Sequence, residues 1–184
     1  MNENNQRIAF DICPVNIILN HYISKLNLEY DDKGTLASEG TIEKNLLKEL
    51  NSLPFYNAIQ PKSLGYEFIV ETILPLINKY NLKVKNILRT FVEHIAQQIA
   101  KKHDSNPSKK MLITGGGAYN TFLIERLKEY TKTELIIPED SIINYKEALI
   151  FGLLGFLKDE EKNNCLKSVT GASKDHSSGI IYNA

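Results

Sequence analysis

Three consecutive glycines, Gly115, Gly116 and Gly117, stand between a short apolar run, Met111 to Ile113, and the helical pattern of Ala118 to Tyr130. Strand, glycine turn, helix is an arrangement that brings backbone close to a nucleotide. Glycine accepts φ > 0 and has no Cβ to hold a ligand away. The helix behind it offers N–H groups and partial positive charge. A ligand-free strand-to-helix turn would look the same. Two sharper motifs are excluded. A Rossmann fingerprint needs a third glycine where Asn120 stands, and a P-loop needs Gly-Lys-Ser/Thr, whereas no lysine follows these glycines.

Carboxylates are the second source of chemistry. Asp11 follows the apolar stretch Arg7 to Phe10, predicted as a strand, and precedes Pro14. A carboxylate at a strand end can act as a general base, or simply cap a helix or face solvent in a turn. Glu147 opens a strongly apolar helix, as a dipole-compensating first-turn acid or as a cleft acid. Lys62 and Ser63, beside Gly65, could contact a polar ligand or belong to a surface loop. Asp31, Asp32 and Lys33 read as turn chemistry. His21 and His94 have no partners at metal-ligand spacing and read as structural or surface residues; no metal ligand is assigned.

The positioning elements follow from periodicity. Ile17, Ile18, Tyr22 and Leu26 mark one helical face running to Asn27, with Pro14 in its first turn. Tyr30 to Gly40 is a polar, turn-rich loop. Thr41 is expected to cap a helix whose apolar face is Leu46, Leu47, Leu50 and Leu53. Pro54 to Gly65 is loop, and Glu67 to Lys79 is a helix bent at Pro75. Lys83 to Lys102 is a helix with one buried stripe from Val84 to Ile99. His103 to Ser108 turns into the glycine-bearing strand, which should be buried on both faces. Glu134 to Ile137 is a second strand, ended by Pro138. Tyr145 to Leu157 is apolar nearly all round and should be deeply buried. The tail from Lys162 is polar and loop-like.

Composition bounds the class. The chain has 184 residues, 42% of them hydrophobic, enough for a domain with a sizeable core. Lys+Arg and Asp+Glu number 22 each, and this balance argues against bulk nucleic-acid binding. Cys13 and Cys165 form no zinc spacing or disulfide framework and suit reduced thiols in a cytoplasm. MNENNQR lacks the apolar stretch of a secretory signal, and Ala148 to Leu157 is too short to cross a bilayer, so no membrane partner is expected.

Six segments, in order, resemble the C-terminal part of the anhydro-N-acetylmuramic acid kinases. FDICPVN (10–16) resembles the family's Phe-Asp-Thr-Gly-Pro-Gly-Asn. YDDKGTLASEG (30–40) resembles Tyr-Asp-x-x-Gly-x-x-Ala-x-x-Gly, and PKSLGYE (61–67) resembles Pro-Lys-Ser-Thr-Gly-Arg-Glu. ITGGGAYN (113–120) resembles the Gly-Gly-Gly-Ala-x-Asn nucleotide turn. KEALIFGLLG (146–155) resembles a Glu-Ala-x-x-Phe helix, and SVTGAS (168–173) a closing Val-Thr-Gly-Ala. Ile12, Cys13 and Val15 depart from that pattern beside Asp11, as do Leu64 and Tyr66 in the lysine-serine loop.

The resemblance implies an α/β fold: a helix-rich ribonuclease-H-like lobe of the sugar kinase, heat-shock ATPase and actin superfamily. Residues 1–184 would be a single C-terminal lobe. Within it, 7–30 is strand plus helix, 31–80 inserted loops and helices, 83–158 the nucleotide-side α/β core, and 159–184 a tail. It further implies a cytoplasmic, ATP- and Mg²⁺-dependent sugar kinase of peptidoglycan recycling. Asp11 matches the catalytic base; Gly115, Gly116, Gly117, Ala118 and Asn120 match the nucleotide turn; Glu147, Lys62 and Ser63 fall on the substrate side. The family's Gly-Thr-Ser-x-Asp-Gly phosphate loop has no counterpart here. The chain is therefore expected to need an N-terminal lobe, in the same polypeptide or a separate subunit, and a homodimer stays open. Two strands lying in mid-sheet would also be lacking, leaving Arg7 to Phe10 without a neighbour and the Met111 strand with an unpaired edge. A non-catalytic ligand- or partner-binding lobe and a related amino-sugar kinase, such as an N-acetylglucosamine kinase, are the alternatives.

Overall fold

A computed structural model of the chain describes residues 2–3, 6–103 and 110–182. In chain order the strands are β1 (Asn2–Glu3), β2 (Gln6–Arg7), β3 (Lys110–Leu112) and β4 (Glu134–Ile136). The helices are α1 (Asn16–Ile23), α2 (Thr35–Ser38), α3 (Lys44–Asn51), α4 (Tyr66–Phe68), α5 (Leu74–Asn78), α6 (Val84–His103), α7 (Thr121–Tyr130), α8 (Asp140–Asp159) and α9 (Lys167–Thr170). The result is a helix-rich α/β chain with a small parallel sheet. Its residues cluster into two compact units, one of 12–58 and 64–139, the other of 1–11, 59–63 and 140–184.

The first unit holds the core, and α6 is its axis. Ile87, Leu88, Phe91, Val92, Ile95 and Ala96 are buried along it, as the 3.6-residue stripe predicts. Around it pack α1 through Ile18, Leu19, Tyr22 and Ile23, α3 through Leu46 and Leu50, and α7 through Leu123 and Leu127. On α1 the buried stripe is rotated from the expected one, leaving Ile17 and Leu26 half exposed. That helix also begins at Asn16, two residues past Pro14, and closes through a 3-10 turn onto Asn27 in the left-handed conformation.

Three local expectations change. Glu43, not Thr41, caps α3, accepting a hydrogen bond from the Asn45 N–H at 3.2 Å; Thr41 is held through its own N–H by Asn86 Oδ1. Where a bend at Pro75 is expected, a π turn over Ile69–Ile73 lies between α4 and α5. A proline inside a helix lacks an N–H and crowds the carbonyl four residues back, and one widened turn relieves both. The loop 30–40 contains a helix, α2, held by Asp31.

β3 pairs in parallel with β4, Met111 opposite Leu135, and the Ile113 N–H continues the ladder onto Ile136 O. Met111 is buried but Leu112 is 59% exposed, so β3 is covered on one face, not both. The preceding turn, expected over 103–108, lies outside the described residues from 104 on.

The second unit has little core. Ile143 is its only fully buried large hydrophobe among the described residues. The strand expected over Arg7–Phe10 is limited to a two-residue hairpin, Asn2 opposite Arg7, and 8–10 carries no ladder. A strand persists only where another chain segment satisfies its N–H and C=O groups. The tail is more ordered than expected: α9 forms, and Cys165 and His176 exchange both backbone hydrogen bonds. The largest departure is α8. Ile142, Tyr145, Leu149, Phe151, Leu153 and Phe156 are exposed where deep burial is predicted. The unit has too few residues to cover both sides of a 20-residue helix.

Candidate functional site

Two loops and the start of α1 surround a cleft of about 680 Å³ in the larger unit. The first loop is Tyr30–Gly34. The Asp31 carboxylate accepts from the N–H groups of Leu36 and Ala37, both at 2.9 Å, taking up first-turn donors of α2. Lys33 and Gly34 are both left-handed, with φ of 55° and 74°. Gly34 is buried against the start of α7, where a Cβ would overlap Asn120 Oδ1 and lie 2.7 Å from Phe122 Cβ. Thr121 Oγ1 donates to Lys33 O at 3.1 Å, fixing the loop there.

The second loop is the glycine turn. Gly115 has φ 77°, which favours glycine, and no atom lies within 4 Å of where its Cβ would be. The helix expected from Ala118 begins instead at Thr121, after a 3-10 turn over Gly116–Tyr119. The Ala118 N–H donates to Gly115 O and the Asn120 N–H to Gly117 O, closing that turn. Asn120 Oδ1 accepts from the Leu123 N–H at 2.9 Å, so the Asn120 side chain caps α7. Among the described residues, no hydrogen bond engages the N–H of Gly116 or Gly117. A Cβ on Gly116 would come 3.0 Å from Asn16 Nδ2, which reaches across from α1. The cleft therefore combines exposed backbone, an aromatic wall at Tyr30 and side-chain amides at Asn16 and Asn20. These are groups that a base, a ribose or a phosphate can use.

Buried polar bonds hold these elements in place. Glu93 on α6 accepts from Arg89 Nη1 at 2.6 Å, from Arg126 Nε and Nη2 at 2.9 and 3.0 Å, and from Tyr130 Oη. Burial pushes its pKa up, but the hydrogen bonds from Arg126, Tyr130 and Arg89 together outweigh that and hold it below the usual carboxylate value. They clamp α7, the helix behind the glycine turn, onto α6. One turn further along the packing, His94 Nδ1 faces Asn51 Oδ1 at 2.7 Å and Nε2 faces Tyr56 Oη at 2.8 Å. An amide oxygen only accepts, so the Nδ1 carries the proton and Nε2 accepts from Tyr56. Burial lowers the His94 pKa to about 3, keeping it neutral. His94 is thus structural, one of the two readings, structural or surface, that the sequence leaves open.

The smaller unit holds a second, more polar cavity of about 440 Å³. Asp11, Lys62 and Ser63 line it, joined by Thr170 and Gly171 at the end of α9. The Asp11 N–H donates to Lys62 O at 3.0 Å, which ties the two segments together. Gly171 ends α9 with φ 74°, and its Cβ position lies 3.8 Å from Pro61 Cγ. Glu147 lines neither cavity. α8 starts at Asp140, so Asp140 is the first-turn acid and Glu147 stands exposed two turns in.

Asn16, Tyr30 and Lys33 in one cavity and Thr170 and Gly171 in the other were not singled out as site residues from the sequence. Their signal was present: each falls inside one of the six ordered segments, outside any apolar periodicity. Among the described residues, no group of three His, Cys, Asp or Glu side chains could hold a metal ion, both cysteines are free, and no helix is long and apolar enough to cross a membrane.

Comparison with known proteins agrees with these segments. The family model for anhydro-N-acetylmuramic acid kinase matches residues 1–184. The protein of that name from Coxiella burnetii (strain RSA 493 / Nine Mile phase I) is 32% identical over 182 residues, covering 95% of this chain and 49% of the relative. That from Francisella tularensis subsp. novicida (strain U112) is 33% identical over 174 residues, covering 89% and 46%. That from Hahella chejuensis (strain KCTC 2396) is 30% identical over 186 residues, covering 98% and 50%. The chain spans about half the length of the curated relatives it matches. On the match along its whole length, the chain belongs to the anhydro-N-acetylmuramic acid kinase family.

Proposed function

We propose that this chain is the C-terminal lobe, of ribonuclease-H-like type, of a cytoplasmic ATP-dependent anhydro-N-acetylmuramic acid kinase, working in amino-sugar metabolism and peptidoglycan recycling. The observation that carries the reading is the convergence of Tyr30–Gly34 and Gly115–Asn120 on one cleft. The residues present fit a nucleotide. The Gly115 Cβ position is open, and the Gly116 and Gly117 amides are available to an anion. Asn16 and Tyr30 are placed for the nucleoside. ATP supplies the phosphoryl group that ends on O6 of the sugar. No preformed cage of acids awaits Mg²⁺ among the described residues, so the ion would arrive on the nucleotide phosphates.

Asp11 is the general base. Its carboxylate takes a proton from water, the water oxygen bonds to the anomeric carbon, and the bond from that carbon to O6 of the 1,6-anhydro bridge breaks. O6 takes the γ-phosphoryl group of ATP as the bond from that phosphorus to ADP breaks, giving N-acetylmuramic acid 6-phosphate and ADP. Lys62 and Ser63, with Thr170 and Gly171, hold the sugar in the polar cavity; Glu147, exposed on α8, would have to be brought to substrate by another part of the enzyme. The partner in the reaction is the half of the family's chain that this one does not match, which would bring the phosphate loop.

Nucleotide binding is the test. Calorimetric titration of the chain with ATP should show binding that Gly116→Val weakens at least about tenfold, because a branched side chain would displace Asn16 and cover the amides. Equal affinity in a correctly folded Gly116→Val protein would remove the glycine turn from the site.

A further inference from the structure

Lys33 lines the same cleft as Gly116 and carries the positive charge among the residues around it. Its side chain is exposed and makes no ion pair among the described residues. Its backbone is the unusual feature. With φ 55° and ψ 8°, Lys33 is left-handed, and with Gly34 it forms a tight turn in which the Thr35 N–H donates to Asp32 O. Both central residues of such a turn need positive φ, so glycine, asparagine or aspartate is preferred there. A lysine in that position is strained. The other non-glycine residues described with positive φ are Asn27, Asn81 and Glu161, which follow α1, α5 and α8. A left-handed residue there helps to satisfy the last carbonyls of a helix. Lys33 precedes α2 and ends no helix. It is nevertheless fixed on both sides, by Thr121 Oγ1 on its carbonyl at 3.1 Å and by Gly34 packed on Asn120. A strained residue held firmly at the edge of a cleft points to a ligand contact.

We propose that Lys33 is the cation that binds the phosphate chain of the nucleotide in this cleft, adding a full charge to the amides of Gly116 and Gly117. The cleft needs one. Asp31 and Asp32 stand in the same wall. The Asp31 carboxylate is taken up by the N–H groups of Leu36 and Ala37, but Asp32 beside it would repel a phosphate unless a positive charge offset it. A lysine supplies a compact charge on a flexible four-carbon stem, suited to reach over a short loop. Because the loop backbone is already fixed, little backbone freedom is lost when the ammonium is engaged. The Tyr-Asp-x-x-Gly pattern that this loop resembles leaves position 33 open, so the contact belongs to this chain and not to the motif.

The inference rests on the nucleotide reading of this cleft and deepens it. The parent chain, Lys33→Gly and Lys33→Arg are titrated calorimetrically with ATP, ADP and adenosine, and their urea midpoints are measured. Lys33→Gly should weaken ATP and ADP about tenfold or more, the scale of a lost hydrogen bond to a charged group. Adenosine affinity should be unchanged, and the gap between parent and variant for ATP should narrow as salt is raised. Lys33→Arg, which keeps both the charge and the strained backbone, should bind ATP like the parent. The urea midpoint of Lys33→Gly should hold or rise, because glycine accepts the positive φ without strain. Loss of ligand without loss of stability is what separates a phosphate contact from a structural residue. A midpoint that falls together with ATP affinity makes Lys33 a structural residue and overturns the proposal. Adenosine weakened as much as ATP places Lys33 on the nucleoside and also overturns it. ATP bound equally by the parent and Lys33→Gly defeats this inference alone, whereas a parent that binds no ATP defeats the nucleotide reading and this inference with it.

Discussion

Gly34 and Asn120, 86 positions apart in the chain, pack so closely that no Cβ fits between them; one built on Gly34 would overlap Asn120 Oδ1. This contact locks the loop carrying Tyr30 and Lys33 to the residue that caps α7. It forms one wall of the proposed nucleotide cleft.

Gly34→Ala must therefore both strain a left-handed residue and displace Asn120 and Phe122. The first costs about 1–2 kcal/mol and the second about 1–3 kcal/mol. The urea midpoint should fall and nucleotide affinity with it. Gly117→Ala is the contrast: its φ is ordinary, and its Cβ would meet only Val15 Cγ1 at 3.9 Å. Its midpoint should stay within about 0.5 kcal/mol of the parent or rise slightly. Equal losses in the two variants would mean that the Gly34 contact is not what holds the loop.

His94 gives the chain an acid sensitivity well above the carboxylate range. Unfolded, it titrates near 6.5; folded, burial depresses it to about 3. Between those values the unfolded state binds a proton that the native state does not, so stability falls as pH falls. The loss from pH 7 to 5 should be about 2 kcal/mol, read from urea midpoints. Glu93 acts lower. Its folded pKa is depressed, so its contribution is present above the unfolded value of 4.5 and is lost as pH falls through the folded one. His94→Gln should be less stable at pH 7 yet flatter between 7 and 5. A profile as steep as the parent's would assign the sensitivity elsewhere.

Arg126→Met removes two of the hydrogen bonds on a carboxylate that is 2% exposed, leaving Arg89 and Tyr130 to hold it. The loss should be about 1–3 kcal/mol, the cost of under-satisfying a buried charge. Glu93→Gln combined with Arg126→Met should cost less than the sum of the two single changes. Additive losses would show that the two groups are not coupled.

What the chain disclosed in advance, and what it did not, divides along physical lines. α6 was legible because its apolar stripe is buried on one side by the chain's own helices, so period and environment agree. The glycine turn between strand and helix, and the two strands at Met111 and Glu134, rest on local patterns that survive folding. The outward face of α8 was not legible. An all-apolar helix announces that it should be covered, but not whether the covering residues lie in the same 184. The cap at Glu43 in place of Thr41 goes with tertiary hydrogen bonds, Thr41 N–H to Asn86 and Glu43 N–H to Thr90, that residue preferences do not contain, while Asp31 anchors α2 through local bonds hidden in a stretch that reads as a polar turn. Tyr30 is held at the cleft by the loop that the Gly34–Asn120 contact fixes, and Asn16 reaches it from the start of α1 opposite Gly116; both are meetings of distant segments that periodicity does not report.

Oxygen labelling would show whether this chain supplies the water-activating base of an anhydro-sugar kinase. The chain is assembled with the complementary half of a relative and given anhydro-N-acetylmuramic acid, ATP and ¹⁸O-water. One labelled oxygen is expected on the anomeric carbon and phosphate on O6, with Asp11→Asn slowing turnover roughly a hundredfold or more while sugar binding persists. Label found in the phosphate instead, or near-normal turnover of Asp11→Asn at saturating sugar, would contradict it.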